Sequence, residues 1–146
     1  MDANTLKKFK RDINDNTPKV TGHFEVTKSP QNGFKADFIY PSIDGDKFIV
    51  TGVLTCPKGE KFTCELHAPY QEGKSEGEFV EIIDKTMSFY IFEEPGKDII
   101  LYWAEKGKYE ITYIPKAYHL TGKVHFTATY DNKLIEIEYN FNLQDI

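Results

Sequence analysis

The sequence predicts an all-β domain: an antiparallel β-sandwich or barrel of about eight to ten strands with one short N-terminal helix. Three observations predict it. Apolar and polar residues alternate with period two over most of the chain, the mark of strands with one buried face. Clusters of Pro, Gly, Asn and Asp punctuate these runs at short spacing. Beyond residue 16, no long stretch carries a helical period. The expected division is 1–18 for the helix and its lead-in and 19–146 for a single antiparallel domain.

The helix comes first. Leu6, Phe9 and Ile13 share one helical face, with Lys7, Lys8, Lys10 and Arg11 on the other. Thr5 can cap it, and Thr17-Pro18 ends it. The expectation is packing on a sheet edge or barrel end. A membrane-surface helix is the alternative, with a short apolar face for that role.

Strands follow. Residues 20–28 carry Phe24 and Val26, and Ser29-Pro30-Gln31-Asn32-Gly33 is a turn. Phe34, Ala36, Phe38 and Tyr40 then fall on one face. Asp44-Gly45 is a hairpin signal. A three-residue loop, Asp44-Gly45-Asp46, sets Phe38 opposite Gly52 and Ala36 opposite Leu54, large against small. Gly52 inside a strand predicts a bulge or an aromatic ring covering it. After the turn at Pro57-Lys58-Gly59-Glu60, Phe62, Cys64 and Leu66 make a one-sided strand. Residues 67–77 are the longest polar stretch in the body of the chain and read as a mobile loop. Residues 78–83 and 86–92 read as a hairpin over Asp84-Lys85. Residues 98–104 and 108–114 read as another over Lys106-Gly107, pairing Ala104 with Tyr109, Tyr102 with Ile111 and Ile100 with Tyr113.

The last hairpin, residues 123–143, has the clearest pattern. Asp131-Asn132 suits a two-residue type I′ turn, because Asp and Asn tolerate positive φ. That turn pairs Tyr130 with Lys133, Ala128 with Ile135, Phe126 with Ile137 and Val124 with Tyr139. Turn chemistry and hydrophobic pattern choose the same register.

Composition narrows the function classes. Hydrophobic residues are 40% and aromatics 14%, too apolar for a disordered chain. At 146 residues, folding buries roughly 70% of the chain's surface, enough for a core without staples. The net charge is −5 and Arg11 is the only arginine, which argues against nucleic-acid binding. No signal-peptide core and no run of about 18 apolar residues is visible, so a cytoplasmic location is expected and a membrane role is disfavoured. Cys56 and Cys64 set no disulfide framework and read as small buried hydrophobes, reduced in the native protein.

Catalytic patterns are absent from the sequence. His23, His67, His119 and His125 form no HxH or HExxH pair, and the cysteines form no CxxC. His125 is expected opposite Glu138 as an ordinary cross-strand pair. Asp44-Gly45-Asp46 reads as a turn rather than a Ca²⁺ loop. No serine lies in a GxSxG elbow, and there is no GxGxxG or P-loop. No cofactor and no metal are expected, and the protein leans away from being an enzyme.

The hairpin expected over residues 98–114 is apolar on both faces. The face of Ile100, Tyr102, Tyr109, Ile111 and Tyr113 is continuous and reads as core. Either the strand is covered on both sides, for example by the N-terminal helix, or Ile99, Leu101 and Trp103 beside Glu110 and Thr112 face outward, an aromatic centre with a polar rim. The leading expectation is a non-catalytic binding module using that face for a protein partner, a carbohydrate or a second copy in a homodimer. The alternatives are a barrel holding a small lipophilic ligand, its cavity lined by Tyr102, Tyr109 and Tyr113, and a membrane-binding sandwich.

Overall fold

The structure is a computed structural model that describes residues 21–43, 46–80 and 86–146. The helix expected around Leu6, Phe9 and Ile13, and the turn residues Asp44, Gly45, Asp84 and Lys85, lie outside the described residues. The described strands are β1 (Thr21–Lys28), β2 (Phe34–Lys35), β3 (Phe38–Ile43), β4 (Lys47–Thr55), β5 (Lys61–Pro69), β6 (Gly73–Phe79), β7 (Met87–Glu93), β8 (Ile100–Trp103), β9 (Lys106–Ile114), β10 (His119–Tyr130) and β11 (Lys133–Gln144). They form a six-stranded sheet, β2-β1-β11-β10-β9-β6, and a five-stranded sheet, β3-β4-β5-β7-β8, both antiparallel. The arrangement is a sandwich. Among the described residues neither sheet closes into a barrel, and there is no α-helix.

The β10–β11 hairpin has the register its sequence predicts. Tyr130 pairs with Lys133, Ala128 with Ile135, Phe126 with Ile137 and Val124 with Tyr139. Asp131 and Asn132 take φ of 52° and 62°, the left-handed pair a type I′ turn requires. The 29–33 turn also forms. Asn32 N–H donates to the Ser29 carbonyl at 3.1 Å, and Gly33 N–H donates to Ser29 Oγ at 2.9 Å.

The core lies between the sheets. Phe24 stacks on Tyr139 at 5.2 Å and on Phe141 at 5.9 Å, and its ring sits over Gly52 of the facing sheet. A Cβ at position 52 would collide with that ring, so glycine is what lets the two layers approach there. Burying each such aromatic contributes about 1.5–3 kcal/mol.

The chain changes sheet where the sequence suggests continuous runs. Ala36 N–H bonds to Phe24 O in the six-stranded sheet, and the next amide, Asp37 N–H, bonds to Val53 O in the other. Phe34 and Phe38 therefore do not share a strand. β3 pairs Phe38 with Val53 and Ile39 with Gly52, not Phe38 with Gly52. This slip turns Ile39 inward and Phe38 and Tyr40 outward, because side chains alternate along a strand.

Three further expectations are corrected. Residues 67–77 are mostly strand: β5 runs through Pro69 and β6 begins at Gly73. β6 is an edge strand with Lys74, Glu76 and Glu78 exposed, so its polarity reflects one wet face and not a loop. Residues 78–92 are not a hairpin, since β6 pairs with β9 and β7 with β5 and β8. Residues 98–114 are not a hairpin either. Ala104 N–H bonds to Ser88 O in the five-stranded sheet, and Glu105 N–H bonds to Thr127 O in the six-stranded one. Lys106 and Gly107 are strand residues opposite Thr127 and Phe126. Gly107, at φ 145°, packs its backbone against β10, where a Cβ would collide. The glycine answers a close backbone approach, not a turn.

Candidate functional site

The two outer faces of the sandwich differ in chemistry. On the six-stranded sheet the outward residues are mostly polar, including His23 and Thr27 on β1, Glu136, Glu138 and Asn140 on β11, and Lys123 and His125 on β10, with Leu134 and Ile114 exposed toward its ends. On the five-stranded sheet the outward face mixes apolar residues, Phe38, Tyr40, Val53, Met87, Phe89, Ile91, Leu101 and Trp103, with the polar Thr51, Thr63, Glu65 and His67. Phe89 and Ile91 are fully buried on that side and pack with Leu101 and Trp103 as a cluster separate from the main core.

The sheet change at Ala104–Glu105 divides the expected binding residues. Leu101 and Trp103 are half-buried on β8, and Ile99, just before it, is 47% exposed. Trp103 stacks on Phe89, with centroids 5.8 Å apart and ring planes 8° from parallel. Glu110 and Thr112 belong to β9, opposite Lys123 and Thr121, and face outward from the other sheet. The structure therefore brings Ile99, Leu101 and Trp103 together and puts Glu110 and Thr112 on the opposite side of the molecule.

Tyr102, Tyr109 and Tyr113 point into the sandwich from both sheets and pack on aromatic neighbours. Tyr102 meets Tyr90 at 5.7 Å and Tyr130 at 5.3 Å, Tyr109 meets Phe79 at 5.8 Å, and Tyr113 meets Phe48 at 5.4 Å. They are members of the core packing, with Tyr113 at its margin.

Two polar clusters stand out, one on each outer face. Thr51, Glu65 and His67 lie on the five-stranded sheet at 1%, 1% and 3% exposure. Thr51 is directly opposite Glu65, and His67 is two residues along β5 on the same face. Thr51 Oγ1 donates to Glu65 Oε1 at 2.5 Å, and His67 Nε2 lies 2.7 Å from Glu65 Oε2. Both carboxylate oxygens are thus partnered, as a buried carboxylate requires. His67 Nδ1 is buried without a hydrogen-bond partner among the described residues. Reading residues 67–77 as a loop hid this cluster. Its signal was the parity of Thr63, Glu65 and His67 on one strand.

The other cluster is on β10 and β11. His125 faces Glu138, as expected, but its Nε2 bonds to Glu136 Oε1 at 2.8 Å and lies 3.9 Å from Glu138 Oε1. Lys28 Nζ reaches Glu136 Oε2 at 2.6 Å. The hydrogen bonds from Lys28 and His125 hold the Glu136 carboxyl below the usual carboxylate range. A depression of about 450 Å³ adjoins the cluster, bordered by His125, Glu138, Lys108, Lys123 and Asn140.

No protein-family model, curated protein or solved structure matches this chain.

Proposed function

We propose that the protein is a non-catalytic binding module whose contact face is the outer side of the five-stranded sheet where β7 meets β8. The observation that carries this reading is the Trp103–Phe89 stack, flanked by Leu101 and Ile91 and rimmed by the exposed Ile99. A half-solvated antiparallel sheet needs polar residues outward. The six-stranded sheet has them, whereas here Phe89 and Ile91 are buried beside the buried polar cluster of Thr51, Glu65 and His67, and Ile99, Leu101 and Trp103 are apolar groups that reach the surface. A protein surface is the better partner than a carbohydrate. Sugar recognition needs polar groups with free hydrogen-bonding capacity beside the ring platform, whereas the oxygens of the nearby Glu65 carboxylate already hold Thr51 and His67. The partner we propose is a second copy of the chain, whose stripe would be buried against this one across a twofold axis.

Trp103 is the only tryptophan, so its emission reports this face alone. Sedimentation equilibrium is expected to show a dimer with blue-shifted emission, and Ile99→Asp is expected to weaken it at least tenfold with the fold retained. A chain that stays monomeric at millimolar concentration, or a dimer indifferent to Ile99→Asp, overturns the reading.

A further inference from the structure

We propose that His125, Glu136 and Glu138 form a divalent-metal site on the outer face of the six-stranded sheet, with Zn²⁺ as the ion that suits it. One ligand atom from each residue lies within 4.8 Å of the other two. Zinc bonds imidazole nitrogen and carboxylate oxygen at about 2.0–2.2 Å, which sets tetrahedral ligand atoms roughly 3.4 Å apart. The separations from His125 Nε2, 2.8 Å to Glu136 and 3.9 Å to Glu138, straddle that value. Small side-chain adjustments close the set, leaving at least one position for water. One nitrogen and two oxygens suit Zn²⁺ better than a soft ion such as Cu⁺.

The backbone prepares this geometry. β10 and β11 pair without interruption from His119–Gln144 to Tyr130–Lys133. His125 and Glu138 are directly opposed, and Glu136 is the diagonal neighbour on the same face. A second feature, on β1, points to the same place. Val26 is opposite Tyr139, a pair facing the core, but Lys28 is opposite Glu138, a residue facing out. The bulge between them turns Lys28 to the outer face, where a regular strand would have turned it inward. Lys28 binds Glu136 through Oε2 and leaves Oε1 toward His125. It thereby orients the carboxylate without occupying the ligand oxygen, the part an outer-shell group plays around a metal.

His23 and His119 provide an internal control. Each faces an asparagine oxygen on the same row of β11, Asn140 at 3.2 Å and Asn142 at 2.7 Å, with no carboxylate pair among the described residues. The test is calorimetric titration of the full chain with Zn²⁺, together with amide NMR spectra. One saturable site of micromolar affinity is expected, with shifts centred on residues 125, 136 and 138. His125→Ala and Glu138→Gln should each weaken binding at least tenfold, while His119→Ala leaves it unchanged. Circular dichroism checks that the variants fold. Absence of saturable binding below 1 mM overturns the proposal. So does binding that survives His125→Ala undiminished, which marks an adventitious ion only.

Discussion

Glu65 shows how much one residue can hold in place. Its carboxylate accepts from Thr51 and contacts His67, and its backbone carbonyl accepts from Ser88 Oγ at 2.9 Å. Ser88 Oγ in turn lies 2.6 Å from Tyr139 Oη, which comes from the opposite sheet. A polar chain thus runs from the outer face of one sheet to the core face of the other. Glu65→Ala strands the Thr51 hydroxyl and the His67 imidazole at buried positions. Urea denaturation is expected to show a loss of about 3 kcal/mol. A loss under about 1 kcal/mol would mean that the two groups find other partners. The cluster was legible only in part. Parity alone places Glu65 and His67 on one face of β5, but nothing local says that Thr51 of the neighbouring strand completes them. That contact depends on the β4–β5 register, in which Thr51 meets Glu65 across a five-residue connection from Cys56 to Glu60.

Among the elements, the register of the β10–β11 hairpin was legible, although β10 begins at His119 and not at Lys123, and the sheet changes were not. The hairpin is local: its turn residues and its alternation are neighbours in sequence, and both specify one register. Asn132 at φ 62° is the tightest of these constraints. Asn132→Val is expected to cost roughly 1 kcal/mol or more, because a β-branched residue resists that conformation, while Asn132→Gly is tolerated. Equal denaturation midpoints for the valine and wild-type chains would contradict this. The changes at Ala36–Asp37 and Ala104–Glu105 carry no comparable signal, since each takes a single peptide step. Alternation continues with the same period whichever sheet the next strand joins. Lys106-Gly107 therefore imitates a turn, and the face that alternation assigns to both Trp103 and Glu110 is divided between opposite sides of the sandwich.

At the scale of the whole molecule, the interior carries phenols and a thiol that only a neutral state allows. Burial pushes the Tyr139 phenol and the Cys64 thiol well above their ordinary values, and burial likewise raises Tyr90 despite its hydrogen bond to Ser29. Cys64 and Tyr139 come from different sheets, so the alkaline limit of the fold belongs to the packing between layers. In the unfolded chain these groups ionise at about 8.5 for the thiol and about 10 for the phenols. Each folded value is raised, so the unfolded chain binds fewer protons once pH passes those ordinary values. The stability these groups contribute is fully present below about pH 8.5 and declines as pH rises through 9 to 11. Urea midpoints measured at pH 7, 9 and 10.5 are expected to fall progressively. Tyr139→Phe removes one ionisable phenol along with the hydroxyl that meets Ser88. It is expected to be less stable than wild type at pH 7 and to close that gap by pH 10.5, because phenylalanine has no proton for alkali to remove. A gap that stays constant across this range would show that Tyr139 ionises alike in the folded and unfolded chains, and that the contact between the sheets is open to solvent at its centre.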